Sequence, residues 1–116
     1  MSDERRHADR TAVDLEVTVA SRGSEFKLTL ANLGPAGAFI LMTGNELRVG
    51  EKVQVSFPLL PFRANMQVEA EVRWKKGGDT AGVGVHFFQI RELDQLAIHD
   101  FVLILLAKRR HRQYEK

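Results

Sequence analysis

MQVEAEVRWKKGGDTAGVGVHF, residues 66–87, sets the architecture. Met66, Val68, Ala70, Val72 and Trp74 take every second position, and Gln67, Glu69, Glu71, Arg73 and Lys75 fill the gaps. A side-chain period of two belongs to a strand with one buried and one wet face. KKGGD is a strong turn signal, and Ala81, Val83, Val85 and Phe87 resume the alternation beyond it. The stretch reads as a long antiparallel hairpin. Trp74, in phase with Val68 and Val72, is expected in the core.

The same pattern extends toward the N-terminus. Val13, Leu15, Val17 and Val19 alternate with Asp14, Glu16 and Thr18. After the turn SRGSE, Phe26, Leu28 and Leu30 continue the alternation. GAFILMT, 37–43, is a short apolar strand after a Gly/Pro loop, and Val53, Val55 and Phe57 mark another. The sum is about six antiparallel strands with short connections, and closure into a small barrel would remove their edges. The period changes at residue 91. In RELDQLAIHDFVLILLAKRR, residues Leu93, Leu96, Ala97, Phe101, Ile104 and Leu105 fall at helical spacing, and the segment ends in cations that suit a helix C-terminus. Val102, Leu103 and Leu106 add apolar surface outside that stripe. Such a helix either lies in a deep groove or turns its second face to another chain, an unknown protein partner or a homodimer mate. The expected division is an N-terminal arm over 1–11, mobile because it is polar and without periodicity, a barrel over 12–90, and a helix with a basic tail over 91–116.

Composition narrows the function. The 116 residues suffice for one domain, and 44% apolar with 28% charged side chains is a globular balance. There is no Cys, hence neither disulfide nor thiolate chemistry. The N-terminus lacks the apolar core of a secretory signal, and the longest apolar run, FVLILLA at 101–107, is far short of a membrane span. A cytoplasmic protein is expected. The net charge of +2 is unevenly spread: residues 11–107 hold nine basic and eleven acidic side chains, while KRRHRQYEK at 108–116 holds five basic and one acidic. The body lacks the broad basic face of a duplex-DNA binder. Most Phe residues follow the inward phase, which also argues against a surface for single-stranded nucleic acid.

No catalytic constellation stands out, so no enzyme is expected. His7, His86, His99 and His111 show no metal-ligand spacing, and neither a metal nor a cofactor is expected. Glu69 and Glu71 share a face but alternate with Gln67 and Arg73 as a solvated surface. GVGVHF opens no helix and is no dinucleotide fingerprint. Two stretches remain. RRHADR, 5–10, places Arg5, Arg6 and Arg10 just before the first strand, and guanidinium groups form bidentate bonds with phosphates and with the O6/N7 edge of guanine. ANLGPAGAFI, 31–40, ends a strand at Asn32, an amide with both donor and acceptor. It then turns through Gly34, Pro35 and Gly37, where glycine allows positive φ or close approach of another molecule.

Together these stretches resemble the signature of the PilZ domains, bacterial binders of cyclic di-GMP: Arg-x-x-x-Arg, then Asp/Asn-x-Ser-x-x-Gly some twenty residues on. RHADR supplies Arg6 and Arg10, and NLGPAG supplies Asn32, Gly34 and Gly37. ELRVGEKVQVSFPL and VEAEVRWKKGGDTAGVGVHF are similar to the family's later strands, and a C-terminal helix is usual. The resemblance implies a six-stranded antiparallel PilZ-like barrel and cyclic di-GMP as ligand. It implies that Arg6 and Arg10 clamp phosphates and guanine edges, that Asn32 reads a guanine, and that Gly37 with Gly34 admits the ligand to the backbone. By analogy, Arg5 implies a second stacked nucleotide. Trp74 and His86 are secondary candidates: the tryptophan for stacking, against the core placement its phase predicts, and the histidine at a position often basic in the family. Gly34 departs from the signature's Ser. A lost neutral hydrogen bond is worth about 0.5–1.5 kcal/mol, up to roughly tenfold in affinity. The alternative implied by that departure is a degenerate member that binds no nucleotide and acts through protein contacts.

Overall fold

The computed structural model describes residues 11–44 and 46–114, with side chains up to residue 110. Arg5, Arg6 and Arg10 lie outside the described residues. The described strands are β1 (Thr11–Ser21), β2 (Ser24–Leu33), β3 (Gly37–Leu41), β4 (Lys52–Leu59), β5 (Arg63–Lys76) and β6 (Gly82–Phe87), followed by helix α1 (Glu92–Tyr114). The strands close into an antiparallel barrel in the order β1-β2-β3-β6-β5-β4. No helix among the described residues is long and apolar enough to cross a membrane.

Local chemistry accounts for the turns. Ser21 pairs with Ser24, and the two residues between them, Arg22 and Gly23, have φ of 54° and 80°. Positive φ at both central positions matches the right-handed twist of the flanking strands, and Gly23 adopts it without steric cost. Alternation then builds the core. Val17, Val19, Leu30, Val55, Phe57, Met66, Val68, Val72, Val83 and Val85 all point inward and are buried. Each fully buried side chain of this size contributes about 1.5–3 kcal/mol.

Helix α1 packs through Ala97 and Ile98, both in the core cluster, with Phe101 and Val102 partly buried against it. Its ends are held by polar contacts. Asp94 is buried and pairs with Arg63 at 2.7 Å and Arg91 at 3.4 Å, while the Arg109 guanidinium donates to the Ala12 carbonyl at 2.5 Å. The packed stripe differs from the one periodicity predicts. Ala97 and Phe101 face the barrel as expected and Leu105 is half-buried, but Leu93, Leu96 and Ile104 are exposed. A helix apolar on several faces leaves its rotation open. The ion pairs of Asp94 and the burial of Ile98 select it.

Candidate functional site

Directly opposed residues on neighbouring strands share a face of the sheet. Pairing therefore carries one row across four strand boundaries: Ala12 opposite Asn32, Asn32 opposite Phe39, Phe39 opposite Gly84, and Gly84 opposite Trp74. The next row, Leu33, Ala38, Val85 and Val72, is buried in the barrel. The first row accordingly lies on the outer face. Gly37, His86 and Glu71 form the adjacent outward row, with His86 exposed.

Two β-bulges create this surface. The β2–β3 register shifts between Leu30 and Asn32, and the β5–β6 register shifts between Val72 and Trp74. Without the shifts, Asn32 would follow Leu28 and Leu30 inward, and Trp74 would follow Val72. An extra residue in one strand reverses the face of whatever follows it. Trp74 is thus not the core residue its phase predicts. It is 41% exposed and stacks on Phe39 with ring centroids 5.2 Å apart and planes 17° from parallel. Phe39 lies outside the core cluster and also points outward, against the inward phase of most phenylalanines. Both rings rest on glycine: a Cβ at Gly84 would occupy the space of the Trp74 indole, and one at Gly82 would strike the Phe39 ring. Offset-parallel aromatic pairs contribute about 0.5–1.5 kcal/mol beyond burial.

The glycine turn has a different basis from the one expected. The Gly34 amide donates to the Gly37 carbonyl at 2.9 Å, and the Phe87 amide donates to the Ala36 carbonyl at 2.9 Å, so the turn is fastened to β6. A Cβ at Gly37 would collide with the Val85 carbonyl oxygen. The close approach at Gly37 is therefore that of the molecule's own neighbouring strand. Asn32 lies one residue before the end of β2, and its Oδ1 is buried with no hydrogen-bond partner among the described residues. A buried amide oxygen without a partner carries a desolvation cost of about 1–3 kcal/mol and marks an acceptor awaiting a donor.

The chain reaches β1 beside this acceptor. Thr11 pairs with Leu33 and Ala12 with Asn32, so the start of β1 lies beside the Asn32–Gly37 turn. Arg109 enters from the other side through its bond to Ala12, an arrangement 97 residues apart in sequence. Sequence reasoning missed Phe39 and Arg109. The alternating glycines of GVGV were a signal for seated rings, whereas nothing local marked Arg109. Glu69 and Glu71 pair with Gln54 and Arg73 as parts of a polar outer face. Among the described residues, no group of three or more His, Asp or Glu side chains is placed to hold a metal ion.

A family model described as the PilZ domain matches residues 4–103. No curated protein matches by sequence. Among solved structures, the Bacillus subtilis inhibitor of motility MotI/DgrA superposes with a TM-score of 0.75 at 19% identity, over 87% of this chain and 51% of that one. YcgR of Escherichia coli in complex with c-di-GMP superposes with a TM-score of 0.77 at 14% identity, over 91% and 48%. The PilZ domain of YcgR with c-di-GMP gives 0.73 at 12%, over 92% of this chain and 95% of that domain. The chain spans about half the length of the first two proteins.

Proposed function

The chain belongs to the PilZ domain family, and on that premise we propose that it is a cyclic di-GMP receptor that signals by changing its contacts with partner proteins. Arg6 and Arg10 close over the ligand and hold its phosphates and guanine edges through charge-assisted, bidentate bonds. The observation that carries the reading is the Oδ1 of Asn32, unpartnered among the described residues, in the outward row that also holds Trp74 and beside the start of β1, the strand that follows the arginine segment in sequence. A guanine N–H satisfies that acceptor, and the exposed indole provides a stacking surface on the same face. Base–aromatic stacking contributes about 1–3 kcal/mol. Gly37 holds the turn against β6, and Gly34 stands where a hydroxyl would add one more bond. Arg5 supports a second, stacked nucleotide, and His86 borders the site beside Gly37.

The bond from Arg109 to Ala12 links the strand that follows the arginine motif to the end of α1. Ligand that draws the N-terminal segment onto the outer face pulls on β1 at this tether, and the helix is the element that passes the change to a partner. The test is isothermal titration calorimetry with cyclic di-GMP on the chain and on the Arg6→Ala/Arg10→Ala variant. Saturable binding is expected, weakened at least about 100-fold in the variant, since charged hydrogen bonds contribute about 1.5–3 kcal/mol each. Stoichiometry above one ligand per chain supports the role of Arg5. Absence of binding by calorimetry and by an independent method would overturn the receptor reading in favour of a nucleotide-free adaptor, the reading that Gly34 favours.

A further inference from the structure

The side of α1 facing away from the barrel carries exposed apolar side chains among Glu92, His99, Asp100 and Arg110. Asp94, Ala97, Ile98, Phe101, Val102 and Leu105 turn toward the barrel, whereas Leu93, Leu96, Leu103, Ile104 and Leu106 are 40 to 70% exposed. At 3.6 residues per turn Leu96 and Leu103 lie nearly in line, with Leu93 and Leu106 about 60° to either side of them, over about 20 Å at 1.5 Å per residue. Single exposed leucines need no explanation, but five large apolar side chains on the exposed side of one helix mark a contact surface.

We propose that this surface packs against the same surface of a second copy, with the two helices antiparallel about a twofold axis between His99 and Asp100. The leucines are spaced three, seven and three residues apart, so the pattern is the same read from either end. An isologous interface requires that self-complementarity. Antiparallel packing sets Leu96 against Leu103 at both ends at once, with Leu93 and Leu106 flanking that seam. Charge selects the same orientation. The exposed face begins with Glu92 and ends with Arg110, and near its centre lie His99 and Asp100. Antiparallel helices bring Glu92 toward Arg110 of the second copy and His99 beside its Asp100. Parallel helices would instead set Glu92 against Glu92 and Arg110 against Arg110.

Sedimentation velocity and light scattering on the chain at about 100 µM should show a dimer, the expected range for a contact of this small size. Leu96→Glu/Leu103→Glu should be monomeric with an unchanged circular dichroism spectrum, because neither side chain packs on the barrel, and its melting temperature should not depend on protein concentration. Orientation is read by cross-linking, which the absence of native Cys makes unambiguous. His99→Cys, next to the axis, should oxidise to a covalent dimer. Leu96→Cys should not do so alone but should cross-link when mixed with Leu103→Cys. A monomeric chain, a dimer that survives the double glutamate change, or efficient self-cross-linking of Leu96→Cys would each overturn the proposal.

Discussion

The Ser21 hydroxyl and the Arg48 amide both donate to the Glu51 carboxylate, the latter at 2.9 Å, and the Arg22 guanidinium stands 3.8 Å away. These bonds favour the charged form, led by the Ser21 hydroxyl, and hold the Glu51 pKa below its ordinary 4.5. A depressed folded-state pKa stabilises the fold fully above the unfolded value, and the contribution is lost as pH falls through the lowered one. Glu51→Gln should therefore melt below the parent at neutral pH, with the gap closing as pH drops below 4.5. Thermal melts across that range check it. A second residue-scale outcome concerns Gly84. Alanine there must displace the Trp74 ring, at a cost of about 1–3 kcal/mol for an overpacked site. Trp74 is the chain's single tryptophan, so its emission in Gly84→Ala reports the displacement directly. An unshifted spectrum would mean that the ring does not rest on that strand.

At the scale of elements, helix α1 and the bulged strands share a lesson about faces. Ile98 is fully buried, while Leu96 is on the solvent side. Ile98→Ala should cost about 2–5 kcal/mol, the range for a buried aliphatic truncation. Leu96→Ala should leave the stability of the monomer nearly unchanged. Urea denaturation of the two variants in the Leu103→Glu background, which puts a charge into the proposed seam, separates them. Equal losses would mean that the helix is rotated from the orientation described. In β2 and β5 the corresponding decision is made by one extra residue, which moves Asn32 and Trp74 from the inner face to the outer one.

For the whole molecule, closure of the barrel brings remote segments to one place. Ala12 lies beside Asn32 through strand pairing and beneath Arg109 through the helix. Arg109→Ala removes a donor on the exposed end of the helix and should shift the melting temperature little. Hydrogen exchange in the last turns of α1 should quicken several-fold, because local opening then no longer breaks that bond. If the tether relays ligand binding, cyclic di-GMP should slow exchange there in the parent and not in the variant.

Period-two alternation around a Gly-Gly turn was enough to determine the barrel and most of its core, because each inward side chain is specified by its immediate neighbours. The turn between β2 and β3 and the terminal helix were likewise legible. Tertiary structure decided the rest. Asn32 and Trp74 sit in phase with buried neighbours, and only cross-strand register reveals the bulges that turn them outward. Gly37 resembles a residue that makes room for a ligand, yet the group that occupies its space is Val85 of β6. The rotation of α1 depends on an ion pair between Asp94 and Arg63, and its far end on a carbonyl near the start of the chain. The physical reason is the same in each case. A period reports on neighbours along the chain, whereas register, rotation and closure are set by contacts between residues that sequence holds far apart.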